Sequence, residues 1–277
     1  MNRRLLILGG ATVLLLGLVF NLPLTSSPSD GTGSDHPEVA ATHRPAEPTP
    51  SDEDDQPDHE PEDDFDQVEP PRPDLNEVYG GIFNTRKLTG SDSVALTFDD
   101  GPHPEWTPQV LAQLRQHDIK ATFCLIGKYA ENHPDLVAQI HADGHTLCNH
   151  SWLHEMDLGE QSPNVIRENL ERTNDAIRAA VPDAEIPYFR HAGGNWTLRV
   201  VHISEQMGME SIHWDVDPRD WDVEHERDDI YDDLVAATEP GSIVLLHDGA
   251  SNQEEMYEAL RKVLPYWISH GLDFTEL

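Results

Sequence analysis

Two short polar segments carry the residue types of a metal centre. His150 and His154 stand four positions apart in residues 149–154, so two imidazoles can meet one metal ion from a single turn of chain. Asp99 and Asp100 lie side by side before a Gly-Pro pair that interrupts the preceding apolar run. A carboxylate that joins the two histidines leaves positions for water and substrate. Each segment alone also fits a plain turn or a chance histidine pair, but together they favour a hydrolytic metal site.

Three further polar segments occur later in the chain. In them, Arg190 precedes Gly193 and Gly194, the residues Asp217, Asp220 and Trp221 form a D-x-x-D-W pattern, and Leu245 precedes His247. Each segment alone fits a surface ion pair, a turn or an ordinary strand-end histidine. Polar residues at five successive strand ends are better explained by one shared site, because parallel strands bring their carboxyl ends together.

The elements that must position these residues begin at about Ser93, where short apolar strands start to alternate with amphipathic helices. Thr107 and Ser162 each precede a proline, which predicts two capped helix starts. Seven β-α units predict a parallel α/β sheet, either doubly wound or closed into a barrel. The predicted strands are residues 94–98, 121–126, 146–148, 188–190, 211–214, 243–246 and 273–275.

The five ordered motifs resemble those of the polysaccharide deacetylase family, also called carbohydrate esterase family 4 or the NodB-homology family. The resemblance extends from about Ser93 to the C-terminus. It implies a distorted (β/α) barrel with about seven parallel strands. It also implies that Asp100, His150 and His154 bind Zn²⁺ or another divalent transition metal.

The resemblance also implies roles for the other site residues. The expected catalytic residues are Asp99 as the base, Arg190 as the group that orients it, His247 as the general acid and Asp220 as the partner of that acid. Trp221 and Leu245 are expected to form the pocket for the acetyl methyl, and the loop of Gly193 and Gly194 to offer a backbone N–H to the oxyanion.

One motif departs from the family pattern. Ala192 stands where the family usually has proline, and His191 is an added polar group beside it. The loop from Arg190 to Gly194 is therefore expected to be looser than in the family. This departure affects the expected identity of the glycan more than the expected reaction.

The function expected from these residues is metal-dependent hydrolysis of N-acetyl groups from a cell-envelope or extracellular polysaccharide, with release of acetate. Peptidoglycan and chitin-type N-acetylglucosamine units are the candidate substrates. The alternative is O-deacetylation of acetylated xylan or another glycan by the same site. An inactive glycan-binding module is disfavoured, since neither Asp99 nor His247 is needed to bind metal. A two-carboxylate glycosidase would need no paired histidines.

The N-terminal quarter of the chain differs from the rest. Residues 1–25 hold an apolar run after two arginines, which predicts a single-pass membrane anchor, with a cleaved signal peptide as the alternative. Residues 26–75 have 16 acidic residues against two arginines and many prolines, which predicts a disordered linker that acts as a spacer. The catalytic domain is assigned to residues 76–277 and is expected outside the membrane, or secreted after cleavage.

Composition narrows the partners further. The net charge of −34 argues against nucleic acid as a partner. The expected partners are a polysaccharide and, through the anchor, a membrane, with a monomeric catalytic domain. Cys124 and Cys148 lie in neighbouring predicted strands, where either a disulfide or two buried thiols is possible on the sequence alone.

Overall fold

A computed structural model describes residues 77–249 and 252–277. The predicted anchor (residues 1–25) and linker (residues 26–75) lie outside the described residues. Among the helices of the described ranges, none has both the length and the apolar character that a membrane crossing requires.

A parallel sheet forms the centre of the described domain, in the strand order β5-β4-β3-β2-β1-β6, with β7 paired to the start of β1. All of its strand pairs are parallel, as the alternation of strands and helices predicts. The strands are β1 (Val94–Asp99), β2 (Thr122–Leu125), β3 (Thr146–Asn149), β4 (Tyr188–Phe189), β5 (Glu210–Ser211), β6 (Ile243–His247) and β7 (Phe274–Thr275).

The two edges of this sheet approach each other. A single bridge joins Val216, which follows β5, to Val244 of β6, and residues 86–88 bridge the same two edges at Ile212 and Ser242. The sheet is therefore curved into a half-barrel. Only isolated bridges, rather than a continuous ladder of hydrogen bonds, join its two edges in the described residues. This confirms the predicted α/β fold with parallel strands and explains why the barrel is distorted.

Helices follow most of the strands and cover the sheet. They are α1 (Trp106–Gln116), α2 (Gly127–Asn132), α3 (Pro134–Ala142), α4 (Pro163–Ala180), α5 (Leu198–Gln206), α6 (Arg227–Ala237) and α7 (Gln253–Ser269). The longest, α4, buries Ile166, Leu170 and Ile177, which are spaced to share one helix face. All six residues of β1 are buried, so this strand lies in the middle of the core.

The two predicted helix starts have different outcomes. Ser162 caps α4, because its hydroxyl accepts a hydrogen bond from the amide of Val165. The prediction for Thr107 is wrong, since α1 begins one residue earlier, at Trp106. The Thr107 hydroxyl instead donates to the buried carboxylate of Asp248, at the end of β6. A long-range contact has therefore replaced the local cap.

A disulfide joins Cys124 of β2 to Cys148 of β3. The two cysteines are register partners on adjacent parallel strands, and both are fully buried. The bridge resolves the alternative that the sequence left open. It fixes the sheet two residues before His150.

Candidate metal-dependent active site

The three predicted metal ligands meet beyond the carboxyl ends of β1 and β3. The ligand atoms of Asp100, His150 and His154 all lie within 4.8 Å of one another. The Nε2 atoms of His150 and His154 are 3.3 Å and 3.5 Å from Oδ1 of Asp100. That oxygen is buried and has no hydrogen-bond partner in the described structure, so a cation would satisfy it.

Unusual backbone conformations bring these side chains together. Asp100 and His154 have φ angles of 68° and 61°, a left-handed region that residues other than glycine rarely adopt. The reversal at Asp100 breaks β1, so that two consecutive aspartates can both face one site. The Nδ1 atom of His150 lies 2.8 Å from the carbonyl oxygen of Arg190. Donation to this carbonyl leaves Nε2 as the nitrogen that can bind a metal.

The charges around the three ligands also favour a cation. Burial is the largest single influence and disfavours ionised Asp100, but the contact with His150 and the charges of His247 and His154 together outweigh it and hold the pKa of this carboxyl well below its usual value. Burial likewise opposes charge on His150, yet the carboxylates of Asp99 and Asp100 raise its pKa. Burial lowers the pKa of His154 and favours the neutral ring that a metal ligand requires. The donor set therefore fits a divalent transition metal.

Asp99, the expected base, lies beside these ligands with its carboxylate held from one side. Nη1 of the fully buried Arg190 donates to Asp99 Oδ1 at 2.7 Å and to the Thr97 hydroxyl at 2.8 Å. The other guanidinium nitrogens of Arg190 donate to the carbonyls of Ile212 and His213. Because Arg190 is fixed at several points, it can set the orientation of the Asp99 carboxylate.

His247, the expected acid, is the register partner of Asp99 on the adjacent strand β6. Its Nδ1 lies 2.8 Å from Oδ1 of Asp220, and its backbone amide donates to Oδ2 of the same carboxylate at 2.7 Å. Burial is the largest single influence and lowers the pKa of His247, but the charge and hydrogen bond of Asp220, together with the charges of Asp100 and Asp99, outweigh it and raise the pKa to about 9. The imidazole is therefore poised as a proton donor.

A cavity of about 350 Å³ brings the two sides of the site together. Its polar lining includes the three ligands, Asp99 and His247, and its apolar walls come from Met156, Trp214, Trp221 and Leu245. Gly193 also lines it, whereas Gly194 lies behind Trp214, because a Cβ on Gly194 would meet that ring at 2.9 Å. The amide of Gly194 donates to the carbonyl of His191. Of the two glycines, only Gly193 therefore offers its backbone to this cavity.

Comparison with known proteins identifies the family. The profile of the polysaccharide deacetylase family matches residues 86–212. A chitooligosaccharide deacetylase of Sinorhizobium fredii is 40% identical over 202 residues, which are 69% of this chain and 93% of that protein. The chain belongs to the polysaccharide deacetylase family. The enzyme class expected from the sequence, a polysaccharide N-deacetylase, is confirmed at the level of this family.

Two similar solved structures, one of a deacetylase and one of a pseudoenzyme, are relevant to whether this protein is catalytically active. A peptidoglycan N-acetylglucosamine deacetylase has a TM-score of 0.64 and 30% identity, covering 69% of this chain and 89% of that chain. A family 4 pseudoenzyme from Bacillus anthracis has the same TM-score with 28% identity, covering 70% of this chain and 67% of that one. Since a pseudoenzyme shares the fold, catalysis has to be argued from the site residues themselves.

In the loop that departs from the polysaccharide deacetylase motif, His191 makes two hydrogen bonds. His191 is buried, and its Nε2 accepts a hydrogen bond of 3.1 Å from the amide of Gly159. Its Nδ1 therefore carries the proton and donates to the carbonyl of Ala192 at 2.9 Å. The added histidine therefore links the loop to the segment around Gly159.

Three lining residues had no predicted role. Trp214 and Asp217 lie in the segment that contains the D-x-x-D-W pattern, and Met156 lies two residues after His154. Trp214 ends a predicted strand, which is a signal that could have marked it. For Met156 the sequence holds no such signal, because the side chain reaches the cavity through the fold of its loop.

Proposed function

We propose that this protein hydrolyses N-acetyl groups from N-acetylglucosamine units of a cell-envelope or extracellular polysaccharide, peptidoglycan or chitin-type, and releases acetate. The observation that carries the proposal is the pairing of Asp99 with His247. They are register partners on β1 and β6, and both line the cavity that contains the three metal donors. A module that only binds metal or glycan needs neither a positioned base nor a positioned acid.

Asp100, His150 and His154 would hold the metal, Zn²⁺ or another divalent transition ion. When bound there, such an ion supplies Lewis-acid chemistry, polarising the acetyl carbonyl and acidifying the attacking water. Three protein ligands leave room for water and substrate, which is typical of catalytic rather than structural sites.

Asp99 accepts the proton of the attacking water. Its Oδ1 is occupied by the 2.7 Å hydrogen bond from Arg190, which leaves Oδ2 to act as the base. Arg190 is a positioning residue in this scheme, because its guanidinium contacts the base from within the sheet. Gly193 lines the same cavity and would offer its amide to the developing oxyanion.

His247 protonates the leaving nitrogen. An amine leaves poorly unless it is protonated, so a proton donor is needed on the side opposite the base. With Nδ1 held by Asp220, Nε2 is the nitrogen left to face the cavity. Leu245, Trp214 and Trp221 provide the apolar walls against which the acetyl methyl would pack.

The proposed identity of the glycan rests on the chemistry of the site and on the substrates for which similar proteins are named. The two deacetylases named above carry the names of chitooligosaccharide and peptidoglycan as substrates, and both substrates contain N-acetylglucosamine units. We place the enzyme at the cell surface, tethered through residues 1–25 and spaced from the membrane by residues 26–75, or secreted if residues 1–25 are cleaved. That placement rests on the composition of the N-terminal segment.

Acetate release across substrates tests the function. The protein with its metal is incubated with peptidoglycan, chitooligosaccharides and acetylated xylan, and acetate is measured by an enzymatic assay. We expect release from the first two classes. Release from acetylated xylan alone would replace N-deacetylation by O-deacetylation, and release from none of them would overturn the proposal.

Variants separate the base from the metal site. Asp99→Asn is expected to lower kcat/KM by a factor on the order of 10²–10⁴ while the metal content stays unchanged, because general-base catalysis contributes about that much. His150→Ala is expected to lose both metal and turnover. Metal analysis and acetate release are measured on the same preparations. Full activity of Asp99→Asn would show that the base is assigned wrongly.

A further inference from the structure

A surface cavity of about 430 Å³ lies between α2, the start of α3 and α4. Trp152, which stands between the two histidines of the proposed metal site, lines this cavity. Its charged lining residues are Glu131 of α2 and Arg172 and Asp175 of α4. None of these four residues lines the catalytic cavity, and no step of the proposed reaction uses them.

Arg172 is held in the cavity by an aromatic ring. Its guanidinium carbon lies 3.7 Å from the centre of the Trp152 ring, which is a close cation–π contact. In the described part of the chain, no hydrogen bond or ion pair joins this guanidinium to another group. One face of the guanidinium therefore contacts tryptophan, while its N–H groups remain available to a ligand. Such N–H groups bind a carboxylate through two parallel hydrogen bonds.

Trp152 itself is fixed by the fold and is buried. Its amide donates to the side chain of Asn169 at 2.9 Å, and its carbonyl accepts from the amide of Lys128 at 3.0 Å. A Cβ on Gly127 would lie 2.6 Å from the ring, so the ring has little room to move. Arg172 is therefore stacked on a rigid support, as a preformed binding site requires.

Two carboxylates lie near this guanidinium. Asp175 follows Arg172 by three residues on α4, which makes the two side chains neighbours on one helix face. Glu131 lies on α2, and its pKa is lowered by the hydrogen bond from Lys128 and by the charges of Lys128 and Arg172. Within the described residues, neither carboxylate forms an ion pair with Arg172. The cavity therefore complements a ligand that carries both a carboxylate and an ammonium.

The rest of the lining is small and apolar. Ala176 and Ala179 are four and seven residues after Arg172 on α4, and Ala130 and Pro134 also line the cavity. Small side chains leave room for an aliphatic chain between the charged groups. The matching ligand is an amino-acid group, with its ammonium and carboxylate on one carbon, at the end of such a chain. Chitin has no group of this kind, whereas a peptidoglycan peptide has one where its diaminopimelate end is free.

The cavity lies within reach of a peptide on a bound glycan. Trp152 is two residues from both His150 and His154, and consecutive Cα atoms are about 3.8 Å apart, so its Cα lies within about 8 Å of theirs. An extended peptide of three or four residues spans about 10–13 Å. A peptide attached to a sugar beside the metal site can therefore extend to Trp152.

We propose that this cavity binds the free amino-acid end of a peptide attached to the glycan, so that the enzyme prefers peptide-bearing peptidoglycan to chitin-type chains. Arg172 binds the carboxylate, and Asp175 and Glu131 bind the ammonium. This inference rests on the proposed function and selects one of its two candidate substrates.

Acetate release from glycan with and without peptides tests this assignment. Values of kcat/KM are measured on soluble peptidoglycan strands that contain diaminopimelate, on the same strands after an amidase has removed the peptides, and on chitotetraose. The wild type is expected to prefer the peptide-bearing strands. In Arg172→Gln, the ratio of kcat/KM for peptide-bearing to stripped strands should fall by about tenfold, the loss expected for a hydrogen bond to a charged group. Asp175→Asn should lower the ratio less, because Glu131 remains.

Arg178→Gln is the matched control, because Arg178 is an exposed arginine of the same helix that does not line the cavity. Its ratio should equal that of the wild type, and melting temperature and metal content verify that each variant is folded and loaded. A wild type that does not distinguish peptide-bearing from stripped strands would overturn the peptide site alone. So would an Arg172→Gln variant that keeps the wild-type ratio, and a protein partner would then be the alternative occupant. Absence of acetate release from all three substrates would instead refute the proposed function.

Discussion

The proposed base Asp99 and the proposed acid His247 lie opposite each other on neighbouring strands, but their surroundings differ. Arg190 contacts Asp99 with a positive charge, and Asp220 contacts His247 with a negative one. The first contact orients the carboxylate proposed to accept a proton, and the second stabilises the imidazolium proposed to donate one. Opposite partners thus give two titratable groups on adjacent strands opposite tasks.

The pH dependence of turnover should report the contact between His247 and Asp220. The pKa of His247 is raised to about 9, so the protonated acid persists through neutral pH and is lost as the pH rises through that value. Asp220→Asn removes the largest of the negative charges that raise this pKa. The alkaline limb of the kcat/KM profile should therefore move to lower pH, and activity near neutral pH should fall.

Asp232→Asn is the control for this shift, because it removes the same charge from an exposed position on α6. A divalent cation bound by Asp100, His150 and His154 would lower the pKa of His247 in the wild type and in both variants alike, so the shift between their profiles would still report Asp220. If the alkaline limb of Asp220→Asn coincided with that of the wild type, His247 would not be the acid whose titration limits turnover.

At the scale of elements, two loops meet to make one wall of the catalytic cavity. One loop carries Met156 and Gly159, and the other carries Gly193 and Asn195. The side chain of Asn195 donates to the carbonyl of Met156, and the Thr197 hydroxyl donates to the carbonyl of Gly159. The hydrogen bond of Asn195 is exposed to solvent and that of Thr197 is partly buried. The hydrogen bond from the amide of Gly159 to His191 is buried. His191 is therefore the interior tie of this wall.

Replacing His191 should affect substrate binding more than chemistry. His191→Leu fills much of the same volume but leaves the amide of Gly159 without its acceptor, whereas the carbonyl of Ala192 still accepts from the amide of Asn195. We expect a raised KM for chitooligosaccharides with a smaller change in kcat, and a lowered melting temperature. Steady-state kinetics and a thermal melt measure these quantities.

His191→Gln should restore part of the loss, because its side-chain oxygen can accept from Gly159. His141→Asn serves as a control on the exposed end of α3, away from the wall. An unchanged KM together with an unchanged melting temperature in His191→Leu would mean that Asn195 and Thr197 hold the two loops without the histidine.

At the scale of the whole molecule, the parallel topology of the sheet decides which features of the site can be predicted from the sequence. Parallel strands bring their carboxyl ends to one edge whatever the details of their loops, so the meeting of Asp100, His150 and His154 was accessible from motif positions. The ties at His191 and Thr107 were not, because each depends on a contact between distant parts of the chain. The inward position of Met156 likewise depends on loop conformation, which periodicity does not encode.

The disulfide adds a covalent link to this topology, and its contribution is measurable. Cys124 and Cys148 are 24 residues apart and fully buried, so the bond joins β2 to β3 inside the sheet. A crosslink across a loop of that length is worth about 3 kcal/mol in the chain-entropy account, because it restricts the unfolded chain. Denaturant unfolding of the wild type with and without reductant should show that difference in the free energy of unfolding.

The reduced wild type is the matched control for the double variant Cys124→Ala/Cys148→Ala, since it keeps both sulfur atoms and lacks only the bond. The variant should be destabilised further, because the lost sulfur atoms leave unfilled space between the strands. Equal stability of the oxidised and reduced proteins would show that packing of β2 against β3 already holds the sheet. The link would then contribute nothing to the frame that presents His150.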